Sequence, residues 1–127
     1  MWQFPQISEA ELEVMNALWR LGEATSAQLL EAVLPDSRWK PKTVQTLLNR
    51  LVSKGAVSAQ KTGGKAYLYR PCIDQAAYRR EANQNFLQKL YNGSLGLMLT
   101  SFVKEGQLSE EELAELRRIL HDGEAKR

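Results

Sequence analysis

Few residues in this chain are suited to covalent or acid-base chemistry. His121 is the only histidine, and it falls in the last turn of the final helical pattern, where a solvated imidazole favoured by the helix dipole is the ordinary reading. An H-E-x-x-H zinc motif is thereby excluded, and no Ser-His-Asp grouping is recognisable. Cys72, the only cysteine, cannot form an intramolecular disulfide or furnish a tetrahedral metal site by itself, and it fits a reducing compartment. It reads as a small buried hydrophobe closing a strand. Glu110, Glu111, Glu112 and Glu115 gather in the first turns of a helix, where they compensate the macrodipole rather than collect a metal. Gly63-Gly64 lacks the flanking pattern of a nucleotide-phosphate loop. The chain is therefore expected to be no enzyme and to carry no cofactor or metal.

What the sequence does concentrate is positive charge. Between Asp36 and Arg70 stand eight basic residues (Arg38, Lys40, Lys42, Arg50, Lys54, Lys61, Lys65 and Arg70) against one acid, in a chain whose total is only +2. A basic block inside an otherwise acidic chain suits a polyanion, since phosphate neutralisation is the general source of nucleic-acid affinity; a solvated surface is the plain alternative. Lys42, Thr43, Gln45, Thr46, Asn49, Arg50, Ser53 and Lys54 share one side of a helical pattern, a set of donors with no acid among them. A solvent face normally mixes charges of both signs.

The elements that position this set follow from periodicity. Ser8 with Glu11 forms a capping box, and Ile7 and Leu12 a hydrophobic staple, for a first helix whose Leu12, Met15, Leu18 and Trp19 repeat at helical spacing up to Gly22. Thr25 with Gln28 opens a second, shorter helix that buries Leu29, Leu30 and Val33 before Pro35. Pro41 suits the first turn of a third, whose Val44, Leu47, Leu48, Leu51 and Val52 form the apolar stripe and which Gly55 ends. Residues 57–61 and 66–70 then alternate around Thr62-Gly63-Gly64-Lys65, a hairpin that must lean on the helices because two strands alone are marginal. Trp19 and Trp39 read as core and helix-entry packing. Three helices and a basic hairpin make a winged helix-turn-helix over residues 1–73.

Asp74 caps a fourth helix with Tyr78, Ala82, Phe86 and Leu90 every four residues, ending at Gly93 and expected to pack on the wing domain as it leads away. Ser94 opens a fifth, striped by Leu95, Met98, Leu99, Phe102 and Val103 and stopped by Gly106. Ser109 with Glu112, stapled by Leu108 and Leu113, opens a sixth that buries Leu113, Leu116, Ile119 and Leu120 before Gly123. A segment this short rarely forms a core alone, so its apolar face needs either the first domain or, the favoured option, a second copy of the chain. The fold class is thus mostly α with a small β-hairpin wing, followed by a helical dimerisation domain over 74–127. No apolar run approaches the roughly 18 residues of a membrane span, and Met1-Trp2-Gln3-Phe4-Pro5 lacks a basic region followed by an apolar stretch, so a cytoplasmic chain without direct membrane binding is expected.

The run Trp39 to Leu51, then Lys54-Gly55, then Tyr67-Leu68-Tyr69-Arg70-Pro71, closely resembles the penicillinase and methicillin-resistance repressor family, whose copper-responsive members form a separate branch. The similarity runs from about Ile7 to Leu120, including Leu108-Ser109-Glu110-Glu111-Glu112-Leu113. The resemblance implies a homodimeric bacterial repressor of antibiotic-resistance genes on palindromic double-stranded operator DNA. It sets helix three in the major groove, with Lys42, Thr43 and Thr46 toward base edges, Gln45 and Asn49 each able to offer a bidentate amide to adenine, and threonine methyls toward thymine methyls. Arg50 and Lys54 would reach phosphates, as would Lys61, Lys65 and Tyr67 on the wing.

The apolar stripes of helices five and six predict a dimer interface of Leu95, Met98, Leu99, Phe102, Val103, Leu113, Leu116 and Leu120, and the resemblance implies a helical dimerisation domain. It also implies relief of repression through a membrane sensor-peptidase pathway that leads to cleavage of an Asn-Phe bond. The matching pair here is Ser101-Phe102, a departure at the first position. The copper branch ends in a cysteine-rich motif that Cys72 alone does not reproduce, although a copper or redox signal stays among the alternatives. The other function class is a protein-interaction module whose basic face docks an acidic partner, and competition by duplex DNA separates the two.

Overall fold

A computed structural model describes residues 4–33 and 39–125. Pro35, the expected stop of the second helix, and Asp36 and Arg38 of the basic block lie outside the described residues. The element order is α1 (Glu9–Leu21), α2 (Ser26–Val33), α3 (Pro41–Ser53), β1 (Val57–Lys61), β2 (Tyr67–Pro71), α4 (Gln75–Tyr91), α5 (Leu95–Lys104) and α6 (Glu110–Ala125). This is the helical, hairpin-winged architecture expected from the sequence, and the chain divides into two compact units that meet within α4, between Ala82 and Asn83.

Capping fixes where the first helices begin. Ser8 Oγ accepts from the Glu11 N–H at 3.1 Å while the Ser8 N–H donates to Glu11 Oε1 at 2.8 Å, and Thr25 and Gln28 repeat the exchange at 3.3 and 2.9 Å. Gly22 ends α1 with a φ of 83°, a value that disfavours any side chain. The core of this unit is built by Val14, Met15 and Leu18 of α1, Leu29 and Val33 of α2, and Val44, Leu47, Leu48 and Leu51 of α3, closed by Ala56, Val57, Tyr69 and Ile73. Trp19 and Trp39 pack against its edge, and Trp19 Nε1 donates to the Ile73 carbonyl at 2.8 Å.

The hairpin is antiparallel, pairing Val57 with Pro71, Ala59 with Tyr69 and Lys61 with Tyr67. Its base is tied to the helices as a two-stranded ribbon requires: Tyr69 exchanges backbone hydrogen bonds of 3.0 and 2.8 Å with Ala24, in the α1–α2 turn.

Three expectations are corrected. Val52 is 36% exposed rather than core, because it follows Gln45 by seven residues and so shares that residue's wing-facing flank. Cys72 is exposed, since the inward position after Tyr69 is taken by Ile73. Helix α6 runs through Gly123 to Ala125, which sets His121 before the last turn and leaves no basic residue there. The start of α4 packs within the first unit, where the Tyr78 ring meets Trp19 and Phe4 at centroid distances of 5.7 and 5.9 Å, and no residue of α4 is fully buried.

Asp74 in the first unit and Ser94 and Ser109 in the second cap α4, α5 and α6 as expected, the last by a full box with Glu112. None of the described side chains after Ala82 is buried, so Leu113, Leu116, Ile119 and Leu120 are not the interior of a closed hairpin. Leu95, Val103, Ile119 and Leu120 are exposed, and Leu99, Leu108, Leu116 and Ile119 line a groove edged by Glu111, Glu112 and Glu115.

Candidate nucleic-acid interface

The third helix is amphipathic in a way that sorts its residues by job. Val44, Leu47, Leu48 and Leu51 face the core, leaving Lys42, Thr43, Thr46, Asn49, Arg50 and Ser53 exposed and Gln45 half-buried. Its first turn contains no acid and Lys40 supplies no side-chain cap, so no described side chain neutralises the positive end of the helix dipole. The wing stands beside this face. Gln45, Asn49, Val52 and Ser53 form one wall of a cleft, and Ala59, Lys65, Ala66, Tyr67 and Tyr69 the other. Lys61, Lys65 and Tyr67 are exposed on the wing, whose tip is shaped by Thr62 Oγ1 donating to the Ala66 carbonyl at 2.9 Å.

Hydrogen bonds inside the protein refine what each residue can offer. The Thr46 hydroxyl donates to the Lys42 carbonyl at 2.9 Å, spending its proton on the helix and leaving its methyl and lone pairs for a neighbour. Gln45 Nε2 donates to Asn49 Oδ1 at 3.0 Å and to the Tyr69 hydroxyl at 3.1 Å, so these amides are already joined to each other. Lys54 stands apart from the remaining site residues. Its ammonium donates to Glu11 and, at 2.7 Å, to the Gln6 carbonyl, because it follows buried Leu47 by seven residues and lies on the α1 side of the helix. Arg70 is likewise engaged, in an exposed ion pair with Glu23.

Two residues that matter here were not singled out from the sequence. Tyr69 was readable, because strand alternation places it on the same side as Tyr67; its link to Gln45 was not, because 24 residues separate them. Glu11, a cap by its spacing from Ser8, is also buried and paired with Lys54. Among the described residues no His, Cys, Asp and Glu cluster could hold a metal, and no helix is long and apolar enough to cross a membrane.

A three-helix core whose third helix lies exposed beside a β-hairpin defines a winged helix. A family model described as "Penicillinase repressor" matches residues 7–122. The chain is 40% identical to a penicillinase repressor of Bacillus licheniformis, over 96% of this chain and 94% of that one. It is 34% identical to the methicillin resistance regulatory protein MecI of Staphylococcus aureus, over 91% and 94%. This chain belongs to the penicillinase repressor family.

Solved structures agree. The DNA-binding domain of the repressor BlaI is 41% identical with a TM-score of 0.53, covering 61% of this chain and 94% of that chain, and the Bacillus licheniformis BlaI monomer in complex with the blaP half-operator matches equally. A mutant MarR of E. coli, 20% identical with a TM-score of 0.54 over 92% of this chain and 77% of that chain, shares the fold.

Proposed function

We propose that this chain is a homodimeric transcriptional repressor that binds palindromic operator DNA through α3 and the wing. The exposed, acid-free face of α3 beside the lysine-bearing wing carries the reading. The kinship with a repressor solved on a half-operator supports it. Lys42, Thr43, Gln45, Thr46 and Asn49 face base edges; Arg50, Lys61, Lys65 and Tyr67 hold phosphates and set the register. Lys54, occupied by Glu11, acts on DNA only through the position it gives α3.

Residues 1–73 serve as the DNA-binding domain and 74–127 as the dimerisation domain. Leu95, Met98, Leu99, Phe102, Val103, Leu113, Leu116 and Leu120 build the seam, a role supported by the lack of any buried side chain among the described residues of the second unit. The regulated genes belong to β-lactam resistance, and repression ends when a sensor-peptidase pathway leads to a cut between Ser101 and Phe102.

The test is a titration of palindromic duplexes, selected from a random library by the chain itself, against random duplex at rising salt. Affinity for both should fall steeply with salt while the preference persists. A flat salt response, or no preference, rejects the repressor in favour of an acidic protein partner.

A further inference from the structure

We infer that Tyr69 is a positioning residue for base recognition, its hydroxyl holding Gln45 so that Gln45 and Asn49 read one base as a unit. The inference rests on the DNA reading proposed above. Tyr69 is 5% exposed, its backbone is clamped on one side by β1 and on the other by Ala24, and its ring therefore has no freedom to follow a ligand. Its hydroxyl emerges in the cleft between wing and α3, where it accepts from Gln45 Nε2 at 3.1 Å.

A glutamine on an open helix face must give up rotamer freedom when it meets a base. Gln45 has given it up on folding, so the contact is made by a side chain already in place. The arrangement also decides what is offered. Both Gln45 amide protons are spent, on Tyr69 and Asn49, which leaves Gln45 Oε1 as an acceptor. Asn49, with Oδ1 occupied, offers the protons of Nδ2. Gln45 can then no longer grip a base alone, having no proton left to donate. Together the two amides present one acceptor and one donor, the complement of adenine, which shows an N6 donor and an N7 acceptor in the major groove.

The test uses the full chain with Tyr69→Phe, Gln45→Ala and the pair combined. Phenylalanine keeps the ring that fills the core, and a thermal melt checks that folding is preserved. In free protein, Tyr69→Phe should shift the Gln45 side-chain amide resonances and speed their exchange with water. On DNA selected by the unaltered chain, it should reduce the preference for adenine at one base pair per half-site by roughly tenfold, with random-duplex affinity changed by less than about twofold. In the Gln45→Ala background it should have no further effect on that preference.

Unmoved Gln45 resonances, an equal loss on selected and random duplex, or an undiminished effect in the Gln45→Ala background each overturn the role given to Tyr69. A wild-type chain with no sequence preference overturns the DNA reading, and this role with it. Preference that survives Tyr69→Phe intact removes the Tyr69 role alone.

Discussion

Lys54, one residue beyond the end of α3, holds Glu11 of α1, whose side chain is only 2% exposed. Burial by itself pushes the Glu11 carboxyl up; the hydrogen bond from Lys54 and those from Ser8 outweigh it and hold the group below its ordinary value of 4.5. The ion pair therefore sits where α1 meets the end of α3.

A carboxyl held below its unfolded value stabilises the fold fully above about 4.5 and stops doing so as the pH falls through the lower folded value. Urea midpoints taken from pH 7 to pH 3 should accordingly drop through the acid range, and Glu11→Gln should flatten part of that drop. Equal acid slopes for the two chains would separate Glu11 from the acid loss.

Removing the other partner is harsher, since it leaves a buried carboxylate unpaired. Lys54→Met should destabilise the first unit by about 2 kcal/mol, less than a fully buried pair costs because the lysine is partly exposed. Urea unfolding followed by circular dichroism measures it. A cost near zero would mean that water serves Glu11 as well as the ammonium does.

Arg50 and Thr46 should separate by the kind of DNA they affect. Arg50→Ala is expected to weaken specific and random duplexes about equally and to lower the salt slope by about one, whereas Thr46→Ala should erode discrimination by about 1–3 kcal/mol. Fluorescence anisotropy at several salt concentrations decides between a phosphate and a base contact for each.

Leu116 lines the groove between α5 and α6. Leu116→Glu should place an unpaired charge in the proposed seam at a cost of several kcal/mol, yielding monomers whose first unit still melts cooperatively. Sedimentation of the wild-type chain as a monomer at tens of micromolar would reject this seam.

The Ser101-Phe102 bond lies inside α5, where the Ser101 carbonyl accepts from the Glu105 N–H at 3.1 Å. A peptidase needs an extended strand, so the proposed cleavage requires local opening of the helix first. Mass spectrometry of the chain in its host before and after β-lactam exposure should find fragments ending at Ser101. Derepression with the chain intact would point to a ligand or a modification instead.

Local signals in the sequence carried far. The capping pairs Ser8-Glu11, Thr25-Gln28 and Ser109-Glu112 are four-residue patterns, and each forms in the structure. The stripe Val44, Leu47, Leu48 and Leu51 fixed which side of α3 would be free, and with it most of the candidate site. Relations across long separations were not legible: Lys54 meets a residue 43 positions away and Gln45 one 24 positions away. Val52 shows the smaller error of periodicity, in which a residue at the margin of an apolar stripe is decided by its neighbour, here the wing. Cys72 and Gly123 show that a local preference yields to context, one turned outward after a strand and one carried along in a helix.

Trp19 ties α1 to the chain leaving the wing, through Nε1 on the Ile73 carbonyl and its ring against Tyr78. An indole held this way is an optical reporter supplied by the protein itself. If the segment after the wing lifts away, the indole loses its acceptor and meets water, and its emission moves to the red. With Trp39 replaced by phenylalanine to thin the background, stopped-flow fluorescence could time the release of that junction without any attached dye.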